Sequence, residues 1–233
     1  MATLTAAQVA RMIDISAVQA PHGESDIRAL VDAAEKHGFG AVHVLPAWVA
    51  FTRDLLADIA DIALGAPVGF PSGGAHSSIK VAEARQLVED GVDEMDVMIN
   101  VGKLRSGHDA YVRDELHAII AAVDVPTKVI LETNYLTRDE IERACDMCVE
   151  AGAAYVKTAT GWAPSGATLE NVGWIAARVS GRIGIKAAGG IRDLDSMLQM
   201  YRLGARRFGI NLQAAIAIVT TCKQLPDGVV QIS

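Results

Sequence analysis

The sequence predicts an α/β protein of the (β/α)8 class, a TIM barrel, with one short extra helix before the first strand. Eight short apolar runs, most of them bounded by glycine or proline, alternate along the chain with segments of helical spacing. The length of 233 residues and a hydrophobic content of 51% suit one such barrel, so we expect a single domain over residues 1–233. The alternative is an open doubly wound sheet, but no G-x-G-x-x-G fingerprint follows the first strand.

The first half of the chain predicts the extra helix and four barrel strands. Residues 5–8, T-A-A-Q, form a capping-box pattern that begins a helix ending near Arg11. Gly38 stands where the next helix is expected to end. The strands are predicted at 12–15, 40–44, 67–70 and 92–100, with helices at 24–37, 47–57 and 78–90 between them.

The second half predicts the remaining four strands and their helices. Thr137 is expected to cap the helix that follows the fifth strand. Strands are predicted at 128–132, 153–158, 182–186 and 206–209, and further helices at 108–123, 193–203 and 211–221. The last dozen residues carry little signal for any element.

Charge and cysteine usage limit the classes of function. A net charge of −7 argues against a nucleic-acid or anionic membrane surface, and no apolar run approaches the roughly 20 residues that span a bilayer. Three cysteines without a secretory signal indicate a reducing, cytoplasmic setting. Cys145 and Cys148 form a C-x-x-C, but it lies in an amphipathic helical pattern without a second ligand pair, which favours core packing over a metal or redox site.

Two lysines occupy corresponding positions in the sixth and seventh predicted strands. Because side chains alternate along a strand, Lys157 lies on the face opposite Val156, and Lys186 on the face opposite Ile185. If the aliphatic face packs against helices, both ammonium groups enter the barrel from strands about 4.8 Å apart. Burial and a neighbouring like charge both lower a lysine pKa, and a neutral lysine forms a Schiff base with a carbonyl. The alternative is a pair of surface lysines that extend into solvent.

Asp96 is the carboxylate expected to meet these lysines. It alternates with Met95 and Val97 in the fourth strand, so its side chain is predicted to point into the barrel. A buried aspartate needs a charged partner, which the two lysines supply. A purely structural network of ion pairs is the alternative interpretation.

Three other polar residues are expected to point inward. His43 alternates with Val42 and Val44 and is interpreted as a hydrogen-bonded filler, since no set of histidines indicates a metal. Glu94 and Glu132 are interpreted as members of an ion-pair layer inside the barrel.

Glycines after the last strands predict an anion site. Gly189 and Gly190 follow the seventh strand and precede a helix, where backbone N–H groups can bind an anion. The turn at Gly161, and Gly209 at the end of the eighth strand, would complete the phosphate site common after the last strands of such barrels.

Several segments together resemble one known family. The most specific are V-K-T-A-T-G at 156–161, I-K-A-A-G-G-I-R at 185–192 and D-E-M-D-V-M-I-N at 93–100. Further matches lie at 13–14, 69–71 and 128–133. In this order, and over nearly the whole chain, these segments resemble the deoxyribose-phosphate aldolases, a family of class I aldolases.

The resemblance implies a reaction and a set of roles. It implies reversible cleavage of 2-deoxy-D-ribose 5-phosphate to acetaldehyde and glyceraldehyde 3-phosphate, with no metal or other cofactor. Lys157 would form the Schiff base, Lys186 would lower its pKa, and Asp96 would be the acidic partner in proton transfer. The expected substrate-binding residues are Ser16, Thr158, Thr160, Gly161, Gly189, Gly190, Gly209 and Asn211. The expected partners are small aldehydes and sugar phosphates, and a homodimer is compatible with the apolar outer faces.

The chain departs from the family pattern at several positions. Asn211-Leu212 stands where the family usually has a Ser-Ser pair that holds the phosphate, and Leu212 has no side-chain donor. His43 replaces a common cysteine, Ile15-Ser16 replaces His-Thr, and Trp162 follows the Thr160-Gly161 motif. These departures leave open a Schiff-base aldolase for a different sugar phosphate or an unphosphorylated aldehyde. A non-catalytic barrel that binds a metabolite is a lesser alternative.

Overall fold

Eight parallel strands close into a barrel in a computed structural model, which describes residues 2–232. The strands in chain order are β1 Ala2–Thr5, β2 Ile13–Ala17, β3 Ala41–Val44, β4 Ala63–Val68, β5 Glu94–Met98, β6 Thr127–Ile130, β7 Tyr155–Lys157, β8 Gly184–Ala188, β9 Arg207–Ile210 and β10 Val229–Ile232. The barrel runs from β2 to β9, and β9 pairs with β2 to close it. The predicted (β/α)8 class is confirmed.

Helices follow the barrel strands and cover their outer face. They are α1 Ala6–Arg11, α2 Glu24–His37, α3 Val49–Leu55, α4 Ser77–Glu89, α5 Val101–Arg105, α6 Asp109–Ile120, α7 Arg138–Glu150, α8 Leu169–Val179, α9 Leu194–Arg202 and α10 Leu212–Gln224. Thr5 and Thr137 cap α1 and α7 with complete capping boxes, and Gly38 ends α2 at a φ of 74°. These three predicted helix boundaries are therefore confirmed. Among residues 2–232, no helix has the length and apolar character needed to cross a bilayer.

The hydrophobic core lies between the barrel and the helices. Val129 and Val156 on the outer strand face, and Ile175 on α8, are fully buried. Cys145 and Cys148 lie in this layer on α7, and burial raises the pKa of Cys145 to about 12. A thiol of that pKa stays protonated near neutral pH, so core packing of the C-x-x-C is confirmed.

One barrel strand lies earlier in the chain than predicted. The prediction at 67–70 is wrong, because β4 covers Ala63–Val68 and ends before Gly69, whose φ is 66°. The strand begins among small residues with weak strand preference, but closure of the barrel pairs Ala63 with Ala41 on β3. Tertiary pairing overrides local propensity at this strand.

Two features of the fold have no counterpart in the sequence prediction. Antiparallel pairing of β1 with β10 joins the two ends of the described chain, with Thr5 opposite Val229. The short helix α5 begins directly after β5, with Asn100 as its N-cap. A strand whose partner lies at the opposite end of the chain leaves no local periodic signal beyond its own few residues.

Candidate active site

Register places the two lysines directly beside each other. Lys157 on β7 pairs with Lys186 on β8. The flanking residues Val156 and Ile185 are buried on the outer face, so both lysines point into the barrel. The prediction that the two ammonium groups share the interior is confirmed.

Asp96 on β5 joins the two lysines. Its Oδ2 accepts hydrogen bonds from Lys157 Nζ at 2.7 Å and from Lys186 Nζ at 2.9 Å. Burial alone would raise the pKa of Asp96, but the positive charges of Lys157 and Lys186 outweigh burial and hold that pKa well below its usual range. Asp96 is therefore a carboxylate shared by the two lysines.

The two lysines differ in their charge state. Burial lowers the pKa of Lys157, the Lys186 ammonium lowers it further, and Asp96 offsets only part of this effect. Burial also acts on Lys186, but the carboxylates of Asp14 and Asp96 outweigh it and raise the pKa of Lys186 above its ordinary value. Lys186 Nζ lies 2.7 Å from Asp14 Oδ2. The site thus holds a fixed ammonium group beside a lysine that loses its proton more readily.

A layer of ion pairs lies next to this trio. Lys128 Nζ on β6 lies 2.6 Å from Glu94 Oε1, and Arg207 on β9 donates to Asp14 Oδ1 at 2.8 Å and to Glu94 Oε1 at 3.0 Å. The expected place of Glu94 in an ion-pair layer is confirmed. Glu132 lies outside this layer, because its carboxylate accepts hydrogen bonds from the backbone N–H and the hydroxyl of Thr160.

Sequence reasoning missed Lys128, Arg207 and the role of Asp14. Lys128 and Arg207 each stand at the first or second residue of a predicted strand, where a charged residue is usually exposed. Their inward direction follows from alternation, the same signal that placed Asp96, so it was available in the sequence.

A cavity of about 180 Å³ opens at the C-terminal ends of the strands, directly above the lysines. Besides Asp96, Lys157 and Lys186, seven of the predicted substrate-binding residues line it: Ser16, Thr160, Gly161, Gly189, Gly190, Gly209 and Asn211. Thr158 does not line it; its hydroxyl donates to the Ala188 carbonyl and accepts from the Ala188 N–H. The hydroxyl of Thr158 thus ties β7 to β8, and its expected contact with substrate stays a prediction.

The far end of the cavity can hold an anion. Gly189 and Gly190 have φ values of 88° and 85°, a left-handed backbone that favours glycine. Arg192, which sequence reasoning left without a role, also lines the cavity and has a guanidinium suited to phosphate. Asn211 Oδ1 accepts from Ala214 N as the cap of α10, which leaves its amide NH2 group as the side-chain donor.

One group inside the barrel has the chemistry of metal ligands. Ligand atoms of Asp14, His43 and Glu94 lie within 4.8 Å of one another. Both carboxylates are already paired with lysine or arginine, so a bound cation would compete with those ion pairs. We assign the group to the ion-pair network.

Fold and site together define an enzyme class: a (β/α)8 barrel with a desolvated lysine at the mouth, of the kind that attacks carbonyl carbon. A family model described as DeoC/LacD family aldolase matches residues 8–212. The chain belongs to this aldolase family and is accordingly a carbon–carbon lyase.

Known relatives support this assignment. A deoxyribose-phosphate aldolase from Sinorhizobium medicae is 50% identical over 226 residues, which cover 97% of this chain and 91% of that protein. A deoxyribose-phosphate aldolase from Klebsiella pneumoniae is 46% identical and covers 96% of this chain and 91% of that protein. The solved tetrameric deoxyribose phosphate aldolase from Aeropyrum pernix is similar with a TM-score of 0.86 and 27% identity, covering 95% of this chain and 94% of that one.

Proposed function

We propose that this chain reversibly cleaves 2-deoxy-D-ribose 5-phosphate to acetaldehyde and glyceraldehyde 3-phosphate through a Schiff base on Lys157. One observation carries the proposal: Lys157 faces the cavity, its pKa is lowered by burial, and Asp96 and Lys186 lie beside it. Membership of the aldolase family shows an enzyme and removes the non-catalytic alternative.

The first step forms the imine. The neutral amine of Lys157 adds to C1 of the open-chain sugar, and proton transfer from nitrogen to oxygen gives the carbinolamine. A proton taken up from solvent then converts its hydroxyl into leaving water, and the nitrogen lone pair forms the iminium ion. Asp96 Oδ2 lies 2.7 Å from Lys157 Nζ, close enough to accept the proton that the nitrogen releases.

The second step breaks the carbon–carbon bond. The C3 hydroxyl loses a proton, its electrons form the carbonyl of glyceraldehyde 3-phosphate, and the C2–C3 electrons flow into the iminium to give an enamine. Protonation at C2 and addition of water then release acetaldehyde and restore Lys157. We assign these proton transfers to Asp96, directly or through a water molecule, with the Lys186 ammonium stabilising negative charge beside it.

The phosphate would lie between Gly190 and Arg192. A backbone N–H and a guanidinium fork supply donors, and the Asn211 amide supplies another. Leu212 packs against the core instead of offering a hydroxyl. This observation favours a second candidate, the same chemistry on another sugar phosphate or an unphosphorylated aldehyde.

Borohydride trapping tests the chemistry. The protein is incubated with deoxyribose 5-phosphate and borohydride, its intact mass is measured, and the modified peptide is mapped. An adduct on Lys157 is expected. An adduct with acetaldehyde but not with the sugar phosphate would support the second candidate, and no adduct with either would contradict Schiff-base catalysis at Lys157.

Substrate comparison tests the phosphate site. We expect a higher kcat/KM for deoxyribose 5-phosphate than for deoxyribose, because unpaired donors disfavour a substrate that lacks the phosphate. Arg192→Met should narrow this preference, since it removes one guanidinium contact. Equal kcat/KM for both sugars would support the unphosphorylated acceptor.

We propose further that the protein works in the cytoplasm as a single-domain subunit of a homodimer. Cys145, Cys148 and Cys222 are buried and unbonded, as suits a reducing compartment. Light scattering after size exclusion would measure the subunit number; a monomer or tetramer would contradict the dimer.

A further inference from the structure

The His43 side chain lies between Asp96 and Lys186 of the active site and Glu94 of the ion-pair layer. On β3 it pairs in register with Gly65 of β4. A Cβ atom at Gly65 would lie 2.4 Å from His43 Nε2, so only glycine leaves room for this ring. The ring is 4% exposed, and it forms part of the cavity wall. Packing therefore holds the imidazole in one position. None of the proposed proton or carbon transfers uses this ring.

The contacts of Lys186 show what the ring does. An ammonium group has three N–H donors. Lys186 Nζ forms an ion pair with Asp14 Oδ2 at 2.7 Å, donates to Asp96 Oδ2 at 2.9 Å and lies 3.4 Å from His43 Nε2. Because lysine only donates, a hydrogen bond between these two atoms requires His43 Nε2 to accept, which puts the ring proton on Nδ1. Glu94 Oε1 at 3.5 Å and Asp96 Oδ2 at 3.6 Å also lie near Nε2, and Nδ1 has no hydrogen-bond partner among residues 2–232.

We propose that His43 is a positioning residue for the aldol chemistry, supplying the third acceptor that holds the Lys186 ammonium between Asp14 and Asp96. The inference rests on the proposed function, because Lys186 matters through its effect on Asp96 and Lys157. Without this acceptor, the ammonium has room to turn away from Asp96, and the proton transfers at Asp96 lose their fixed partner.

This role requires a neutral ring. Burial lowers the pKa of His43, and the Lys186 ammonium lowers it further. A protonated ring would direct an N–H from Nε2 at the Lys186 ammonium and break the contact. The charged groups that face the ring come from three strands of the barrel: Asp14 on β2, Glu94 and Asp96 on β5, and Lys186 on β8.

Three variants test the proposal by kcat and KM as functions of pH. His43→Gln places an amide oxygen near the Nε2 position and cannot titrate, whereas His43→Leu offers no acceptor. We expect His43→Leu to lower kcat about tenfold or more, with a smaller change in KM, because a hydrogen bond to a charged group is lost. His43→Gln should recover most of this loss. Its kcat should fall less steeply than the wild-type kcat on the acidic side, where protonation of Lys157 still lowers both. The exposed His117→Gln is the matched control, with kcat within about twofold of wild type.

The outcomes separate this proposal from the proposed function. Trapping of Lys157 by borohydride in the wild-type protein tests the Schiff base by itself. If trapping succeeds and His43→Leu keeps the wild-type kcat, or the kcat of His43→Gln falls as steeply with acid as that of wild type, the positioning role is overturned. If His43→Leu does not fold, as judged by circular dichroism, the pH profile of His43→Gln alone decides: a shallower acidic decline than in wild type supports the role, and an equal decline overturns it.

Discussion

Two buried lysines in this protein, Lys80 and Lys157, differ in their hydrogen-bond partners and in their access to solvent. Lys80 on α4 is fully buried outside the barrel, where it donates to Glu115 Oε1 at 2.7 Å and to the Met98 carbonyl at 2.9 Å. The Glu115 carboxylate is held in turn by Ser77. Lys157 Nζ donates to Asp96, and the Lys157 side chain is 11% exposed at the cavity.

Burial lowers the pKa of both lysines, so burial alone does not distinguish them. The difference lies in partners and access. Lys80 lies fully buried between α4 and α6 and donates to two acceptors, so no carbonyl compound can reach its amine. Lys157 lines an open cavity. When its amine is deprotonated, the lone pair is accessible to a carbonyl compound in that cavity. A reactive lysine thus needs an incomplete set of partners as well as a lowered pKa.

The largest expected effect is that of Lys157→Ala. Removal of the nucleophile should lower kcat by about 10⁴-fold or more, as removal of a nucleophile does in other covalent enzymes. Circular dichroism should show an intact fold, and borohydride should give no adduct. Retained turnover, or an adduct on Lys80, would contradict the assignment of Lys157 as the reactive lysine and of Lys80 as a structural one.

Asp96→Asn is expected to separate imine formation from turnover. Loss of a group that transfers protons costs about 10²–10⁴-fold in rate, so kcat should fall by that amount. Lys157 should still be trapped by borohydride, although more slowly, because an amide at this position cannot accept the proton that the nitrogen releases. Loss of the carboxylate also removes the charge that favours the ammonium form of Lys157. Glu94→Gln is the matched control on the same face of β5, and it should lower kcat less. Equal losses in both variants would show that the carboxylates act only as structural ion pairs.

The smallest effect on catalysis is expected for Lys80→Met. Breaking this buried pair leaves Glu115 without its cation and should lower the free energy of unfolding by about 3–5 kcal/mol, measured by urea denaturation. The folded variant should keep the wild-type kcat at low temperature. A change in kcat with unchanged stability would reverse the roles assigned to the two lysines.

Alternation along the strands predicted much of the site. It placed Lys157, Lys186 and Asp96 on one inward face, and the structure brings them within hydrogen-bonding distance. Alternation also puts Thr158 on the face opposite Lys157, and its hydroxyl binds the backbone of β8. The expected contact of Thr158 with substrate came from the resemblance and not from alternation.

Local periodicity and side-chain chemistry are enough to predict the class of fold, the helix caps and the set of residues that enter the barrel. Tertiary contacts set the start of β4, the pairing of β1 with β10, and the unequal pKa shifts of Lys157 and Lys186. Strand pairing depends on partners distant in sequence. The pKa shifts depend on distances of a few ångströms among charges from several strands, such as the approach of Asp14 to Lys186, which no local pattern encodes.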